Sequence, residues 1–228
     1  HVVKREVIFV DLALAQVATL GTCVALLMGY HFDDRFTFWI SLGATLVSLA
    51  FSALVFNQWL SRRKSYQLAW AVGLFMYALA AFTQFLAESS TWSPDIYRVY
   101  YLVAAPLVAV LGIGSTFLVS RRLGLAFSVY TAVLLVGFAW VVATSPVDAV
   151  ALALAIPGGS GFPLSVRIWS PLFTVPGSLA LIGIAAYSYW RTRLAFNAWI
   201  AVGAVVVAAG GTLARVGVTW PLYLGEFI

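Results

Sequence analysis

The chain has 228 residues, 63% of them hydrophobic and only 9% charged. A soluble domain carries about 25% charged residues, so the composition excludes one. The net charge of +5 does not describe a nucleic-acid face, because Lys and Arg fall in short clusters between apolar runs rather than on one surface. No nucleic-acid partner is expected.

Seven apolar runs follow in chain order: 7–30, 36–60, 67–87, 97–119, 123–144, 170–190 and 197–219. Each supplies about the 20 residues that a helix needs to cross a bilayer core of roughly 30 Å. The first is longer than the apolar core of a signal peptide, about 7–15 residues, and is read as a span. The expected fold is therefore all-α: a polytopic membrane protein, one domain over 1–228, built as a bundle of seven transmembrane helices. Short joins at 31–35 and 61–66 suit antiparallel neighbours, and Arg121-Arg122 is nearly the whole join between the fourth and fifth runs.

Orientation follows from the basic residues, which resist translocation when they flank a span. With Arg62-Arg63-Lys64 placed inside, the inner side holds Lys4, Arg5, Arg62, Arg63, Lys64, Arg121, Arg122, Arg191 and Arg193. These are nine of the 13 Lys and Arg residues. The outer side holds Arg35, Arg98, Arg167 and Arg215, together with Asp33, Asp34, Glu88, Asp95, Asp148 and Glu226. The N-terminus is then cytoplasmic, the C-terminus extracytoplasmic, and the location the cell (cytoplasmic) membrane. That orientation and the lack of a lysine in the last run exclude a retinal-binding rhodopsin.

The outer connection 145–169 is the long one. Its segment 147–155 suits a short helix, and the glycines and prolines that follow force irregular backbone, which hydrocarbon tolerates only where protein or water satisfies it. It is either a lid or binding edge, or a solvent-exposed connector. Within and around it, Gly158-Gly159, Phe162-Pro163, Val166-Arg167, Ser170-Pro171 and Pro176-Gly177 resemble an uncharacterised family of bacterial seven-helix integral membrane proteins. Tyr100-Tyr101-Leu102, Gly210-Gly211-Thr212-Leu213 and Tyr223-Leu224-Gly225-Glu226 carry the same resemblance. It implies topology and a bacterial origin, and no activity. That family often has an acidic residue where this chain has Gln84, which counts against a proton-carrying role there.

Gly21, Ala25 and Gly29, and likewise Ala105, Ala109 and Gly112, are small residues at helical spacing that let helix backbones approach closely. They serve internal packing or a dimer seam. Pro106 and Pro176 are expected kinks, since proline removes an internal hydrogen bond. Arg63…Ala69-Trp70 and Arg193…Ala198-Trp199 open the third and seventh runs alike, a faint internal echo. Trp and Tyr near span ends, among them Trp59, Trp92, Tyr97, Trp169 and Trp190, read as interfacial anchors.

Ionisable or strongly polar residues at membrane depth are costly and so mark candidate sites. Helical spacing puts Tyr77, Gln84 and Glu88 on one stripe of the third run, at a depth matching Arg215 on the seventh. An outer ligand-binding cluster of Gln84, Glu88 and Arg215, walled by Tyr77, Tyr100 and Tyr101, follows. Its plainer alternative is an Arg215–Glu88 pair that locks two helices. A second, inner polar cluster gathers Asp11, Gln16, Asn57, Gln58 and Asn197.

Catalytic chemistry finds little footing. The chain has one cysteine and two histidines, so no intramolecular disulfide forms and no metal site of several Cys or His ligands is expected. No Ser/His/Asp set or phosphate-binding loop is present, the enzyme reading is disfavoured, and no cofactor is identified. The function expected is binding or transport of a small molecule or lipid through an outward-facing cavity, with membrane lipids as partners. The alternative is a non-catalytic accessory subunit of a larger membrane complex, with partner subunits or a homo-oligomer.

Overall fold

The computed structural model describes residues 35–152 and 159–193, with Val202 and Val205, both helical. All the regular structure in these residues is helical. The first run, its Gly21, Ala25, Gly29 stripe and nearly all of the seventh run lie outside the described residues.

The second run is a continuous helix, α1 (Arg35–Arg62), of 28 residues. It ends where Arg63 enters the left-handed region at φ 50° and donates its backbone N–H to the Trp59 carbonyl at 2.7 Å. The third run is α2 (Ser65–Ser89). Ser93 then caps α3 (Pro94–Ala104) by accepting from the Ile96 N–H at 3.2 Å. Pro94 fits the first turn, where its missing N–H costs nothing.

The fourth run is interrupted where the sequence places a proline. Pro106 cannot donate to the carbonyl four residues back, so regular helix is divided there into α3, ending at Ala104, and α4 (Leu107–Val119), while Ala105 and Pro106 between them keep right-handed backbone. Ser120 caps α5 (Arg121–Thr144) through the Leu123 N–H at 3.1 Å. Two short helices follow, α6 (Ala149–Leu152) and α7 (Leu164–Arg167), before α8 (Trp169–Thr192). α8 runs through Pro176 without a break. It ends as α1 does: Arg193 adopts φ 55° and donates to the Tyr189 carbonyl at 2.7 Å. The two arginines of the internal echo thus share one backbone conformation.

Among the described residues four helical stretches are long and apolar enough to cross a membrane: Ser65–Ala87, Pro94–Val119, Arg121–Thr144 and Leu164–Thr192. They match the third to sixth runs.

The α1–α2 seam is antiparallel. Thr45, Ser48, Ser52 and Val55 are buried on one side, and Gln67, Ala71, Leu74, Ala78 and Ala81 on the other. Steps of three and four residues put each set on one helix face. Ser52 Oγ donates across the seam to the Ala71 carbonyl at 2.9 Å. On its other side α2 meets α4, where Gly114 leaves room for the Trp70 indole and Gly73 for Leu111.

α4 and α8 approach almost backbone to backbone. A Cβ on Gly177 would lie 2.6 Å from the Ala109 nitrogen and 2.7 Å from the Val108 carbonyl oxygen, and one on Gly112 would lie 3.2 Å from Gly177. The Ala105, Ala109, Gly112 stripe is therefore used inside this chain, with Ala109 fully buried. α5 packs beside them, with Tyr130 donating its hydroxyl to the Leu172 carbonyl at 2.8 Å. Its outer face, Val129, Val133, Val136 and Trp140, is 62–75% exposed, as befits a face turned to lipid.

Candidate functional site

The end of the bundle away from Arg62-Arg63-Lys64 and Arg121-Arg122 is organised by aromatic rings. Tyr97, Phe138 and Phe173 are fully buried there. Phe162 lies between Tyr97 and Tyr101, with ring centroids 5.0 and 5.1 Å away, and Tyr101 lies 5.7 Å from Phe138. Offset and edge contacts at such separations add about 0.5–1.5 kcal/mol each to the burial itself.

This cluster holds the connection 145–169 in place. The Gly161 N–H donates to the Tyr97 hydroxyl at 3.2 Å, and the Asp148 N–H donates to the Gly161 carbonyl at 2.9 Å. Asp148 Oδ1 accepts from the Val150 N–H at 2.9 Å, which caps α6. A side chain at position 161 would run into the Tyr97 ring, 2.6 Å from the Cβ. Leu152, Phe162 and Val166 are buried while Val150, Leu164 and Ile168 are exposed, so the connection is anchored to the bundle at a few points and solvent-facing or lipid-facing between them. Within 147–155, helix is described over Ala149–Leu152; 153–158 lie outside the described residues.

Arg98 joins α3 to the end of α5. Its Nη2 donates to the Ser145 carbonyl at 3.2 Å, and its Nη1 lies 3.4 Å from Asp95 Oδ1. A cation at a helix C-terminus meets the negative end of the helix dipole. The Asp95 contact adds little, since that carboxylate side chain is 94% exposed and surface ion pairs contribute about 0–1 kcal/mol.

Of the outer cluster read from sequence, Gln84 and Tyr100 come together, with Gln84 Nε2 donating to the Tyr100 hydroxyl at 3.5 Å. Both are half-buried, as is Tyr77 below them on α2. Tyr100 also meets Trp92 edge-on at 5.3 Å. Tyr101 is buried within the aromatic cluster, against which Tyr100 and Trp92 also pack from its edge. Glu88 falls in the last turn of α2, its side chain outside the described residues, as is Arg215.

Of the inner cluster, Asn57 is exposed and Gln58 half-buried, and the backbone carbonyls of both accept from Ser61 Oγ, at 3.4 and 2.9 Å. Asp11, Gln16 and Asn197 lie outside the described residues.

Sequence reasoning missed three residues here. Tyr97, read as an interfacial anchor, is a buried core ring; its spacing of four from Tyr101 was the available signal. Phe162 gave none, because nothing local tells a loop aromatic which cluster it will enter. Gln67, taken only as the first residue of a run, is fully buried. Neither its amide oxygen nor its amide nitrogen has a hydrogen-bond partner among the described residues.

No protein-family model matches this chain, and neither the curated proteins nor the solved structures contain a match to it. The class is therefore drawn from the chain itself: an all-helical protein, over the described residues, with four helices of membrane-crossing length and apolarity.

Proposed function

We propose that this chain is a multi-pass protein of the cytoplasmic membrane with seven spans and a cytoplasmic N-terminus. In this reading it binds or transports a small molecule or lipid in an outward-facing site beside α2 and α3. The observation that carries the reading is the Gln84–Tyr100 pair. At 3.5 Å it is a long, neutral hydrogen bond beyond the usual 2.7–3.2 Å range, half-buried between otherwise apolar helices. Such a pair keeps a donor and an acceptor ready for a ligand, while Trp92 and Tyr77 offer ring surface for its apolar part. Sites of this kind pair mostly apolar walls with a few placed polar groups.

The test is native mass spectrometry of the protein released gently from its own membrane. A small molecule or lipid retained by the wild type, and lost from the Gln84→Leu/Tyr100→Phe double variant, is the expected result. Equal retention by both, or a bare wild type, overturns it. The exposed Val129, Val133, Val136, Trp140 face of α5 favours a second reading, an accessory subunit of a larger complex. The same spectra weigh any partner chain that comes with the protein.

A further inference from the structure

The opposite end of the molecule carries an unbalanced charge. Arg62, Arg63 and Lys64 join α1 to α2, Arg121 and Arg122 open α5, and Arg191 and Arg193 end α8, and all seven side chains are exposed. The antiparallel α1–α2 seam and the contact of Trp70 with Gly114 bring the first two groups to one end. α8 runs alongside α4 through Gly177 and Gly112 and finishes towards that end as well. Among the described residues the acidic positions lie at the other end: Glu88 in the last turn of α2, Asp95 opening α3, and Asp148 after α5. The ion pair found there, Arg98 with Asp95, involves none of the seven.

The local structure holds these cations out where helix energetics alone would not. Arg121 and Arg122 occupy the first turn of α5, where the positive end of the helix dipole disfavours a cation. Arg63 and Arg193 take left-handed backbone conformations, φ 50° and 55°, which glycine adopts without penalty and arginine does not. Aromatic rings brace two of the side chains. The Arg63 guanidinium sits 4.8 Å from the Trp59 ring centroid. That of Arg191 is 5.9 Å from Tyr187 and donates to its hydroxyl at 3.4 Å. A guanidinium stacked on a ring still offers its in-plane N–H fork to an oxyanion.

We infer that this basic end is a binding surface for anionic phospholipid headgroups of the adjoining leaflet, with Arg63 and the Arg121-Arg122 pair as its main contacts. Charge complementarity selects the partner. Clusters of four to eight Lys and Arg beside a span attract acidic lipid, and the bilayer puts headgroup phosphates at the depth where the helices end. The inference holds whichever side of the membrane this end faces and is independent of the outer site.

The experiment uses the full chain in mild detergent, offered equal amounts of phosphatidylglycerol and phosphatidylcholine and read by native mass spectrometry at rising salt. The wild type should retain phosphatidylglycerol several-fold over phosphatidylcholine, and the preference should fall as salt rises. Arg63→Gly relieves the backbone and removes one cation, so it should fold at least as well yet lose about fivefold in preference. Arg121→Gln/Arg122→Gln should lose more. Equal retention of the two lipids by the wild type overturns the inference. So does a preference that both variants keep unchanged.

Discussion

Gln67 presents a primary amide to an apolar interior and gains no hydrogen bond among the described residues in return. A buried polar group left unsatisfied costs about 1–3 kcal/mol, and against the described residues alone this side chain carries that cost. Gln67→Leu, of similar length and without polar atoms, is expected to raise the thermal denaturation midpoint of the purified protein. A lowered midpoint would mean that the amide has a partner in the native membrane. The contrast with Ser52 is instructive, because its hydroxyl finds the Ala71 carbonyl across the same seam. In sequence Ser52 is one of several small polar residues in its run and Gln67 stands at the start of the next, and neither position says whether its polar group will be satisfied. Satisfaction depends on what the facing helix offers, and that is a property of the packed pair.

Among the elements, α4 and α8 show how glycine sets helix separation. Lipid gives no hydrophobic drive for helices to associate, so close backbone packing matters more than in water. Gly177→Ala pushes a methyl group into the Ala109 and Val108 backbone, which cannot give way as a flexible side chain would. The expected cost is about 1–3 kcal/mol, read as a lower denaturation midpoint. Gly183→Ala in the same helix is the control. A Cβ there meets nothing within 4 Å, and the gain in helix propensity over glycine, about 1 kcal/mol, should leave stability equal or higher. Similar losses at both positions would argue against the close approach. The two prolines make the complementary point. Pro106 and Pro176 looked equivalent as kinks, yet the first separates α3 from α4 while α8 continues through the second.

At the scale of the whole molecule, the proposed sidedness makes a direct prediction. In a Cys23→Ser background, Lys64→Cys should resist a membrane-impermeant maleimide on intact cells and react after lysis, whereas Ser165→Cys should react on intact cells. Labelling of Lys64→Cys from outside would reverse the orientation and place the Gln84–Tyr100 pair on the cytoplasmic side. The third to sixth apolar runs were legible because a span is a local property: about 20 apolar residues in a row must be a helix of that length in hydrocarbon, whatever else the chain does. The charge segregation between the two ends was legible for the same reason, since it needs only the order of charges along the chain. The candidate sites were legible only in part. Helical spacing put Tyr77 and Gln84 on one stripe, but it could not tell that Tyr100 would meet Gln84 while Tyr101 turned to Phe138 and Phe162. Sequence alone thus determined the four membrane-length helices among the described residues and the order of the basic clusters between them. Only the tertiary structure decided that the 145–169 connection packs on Tyr97 and that Gly177 meets Ala109, because these depend on residues far apart in the chain meeting at contact distance.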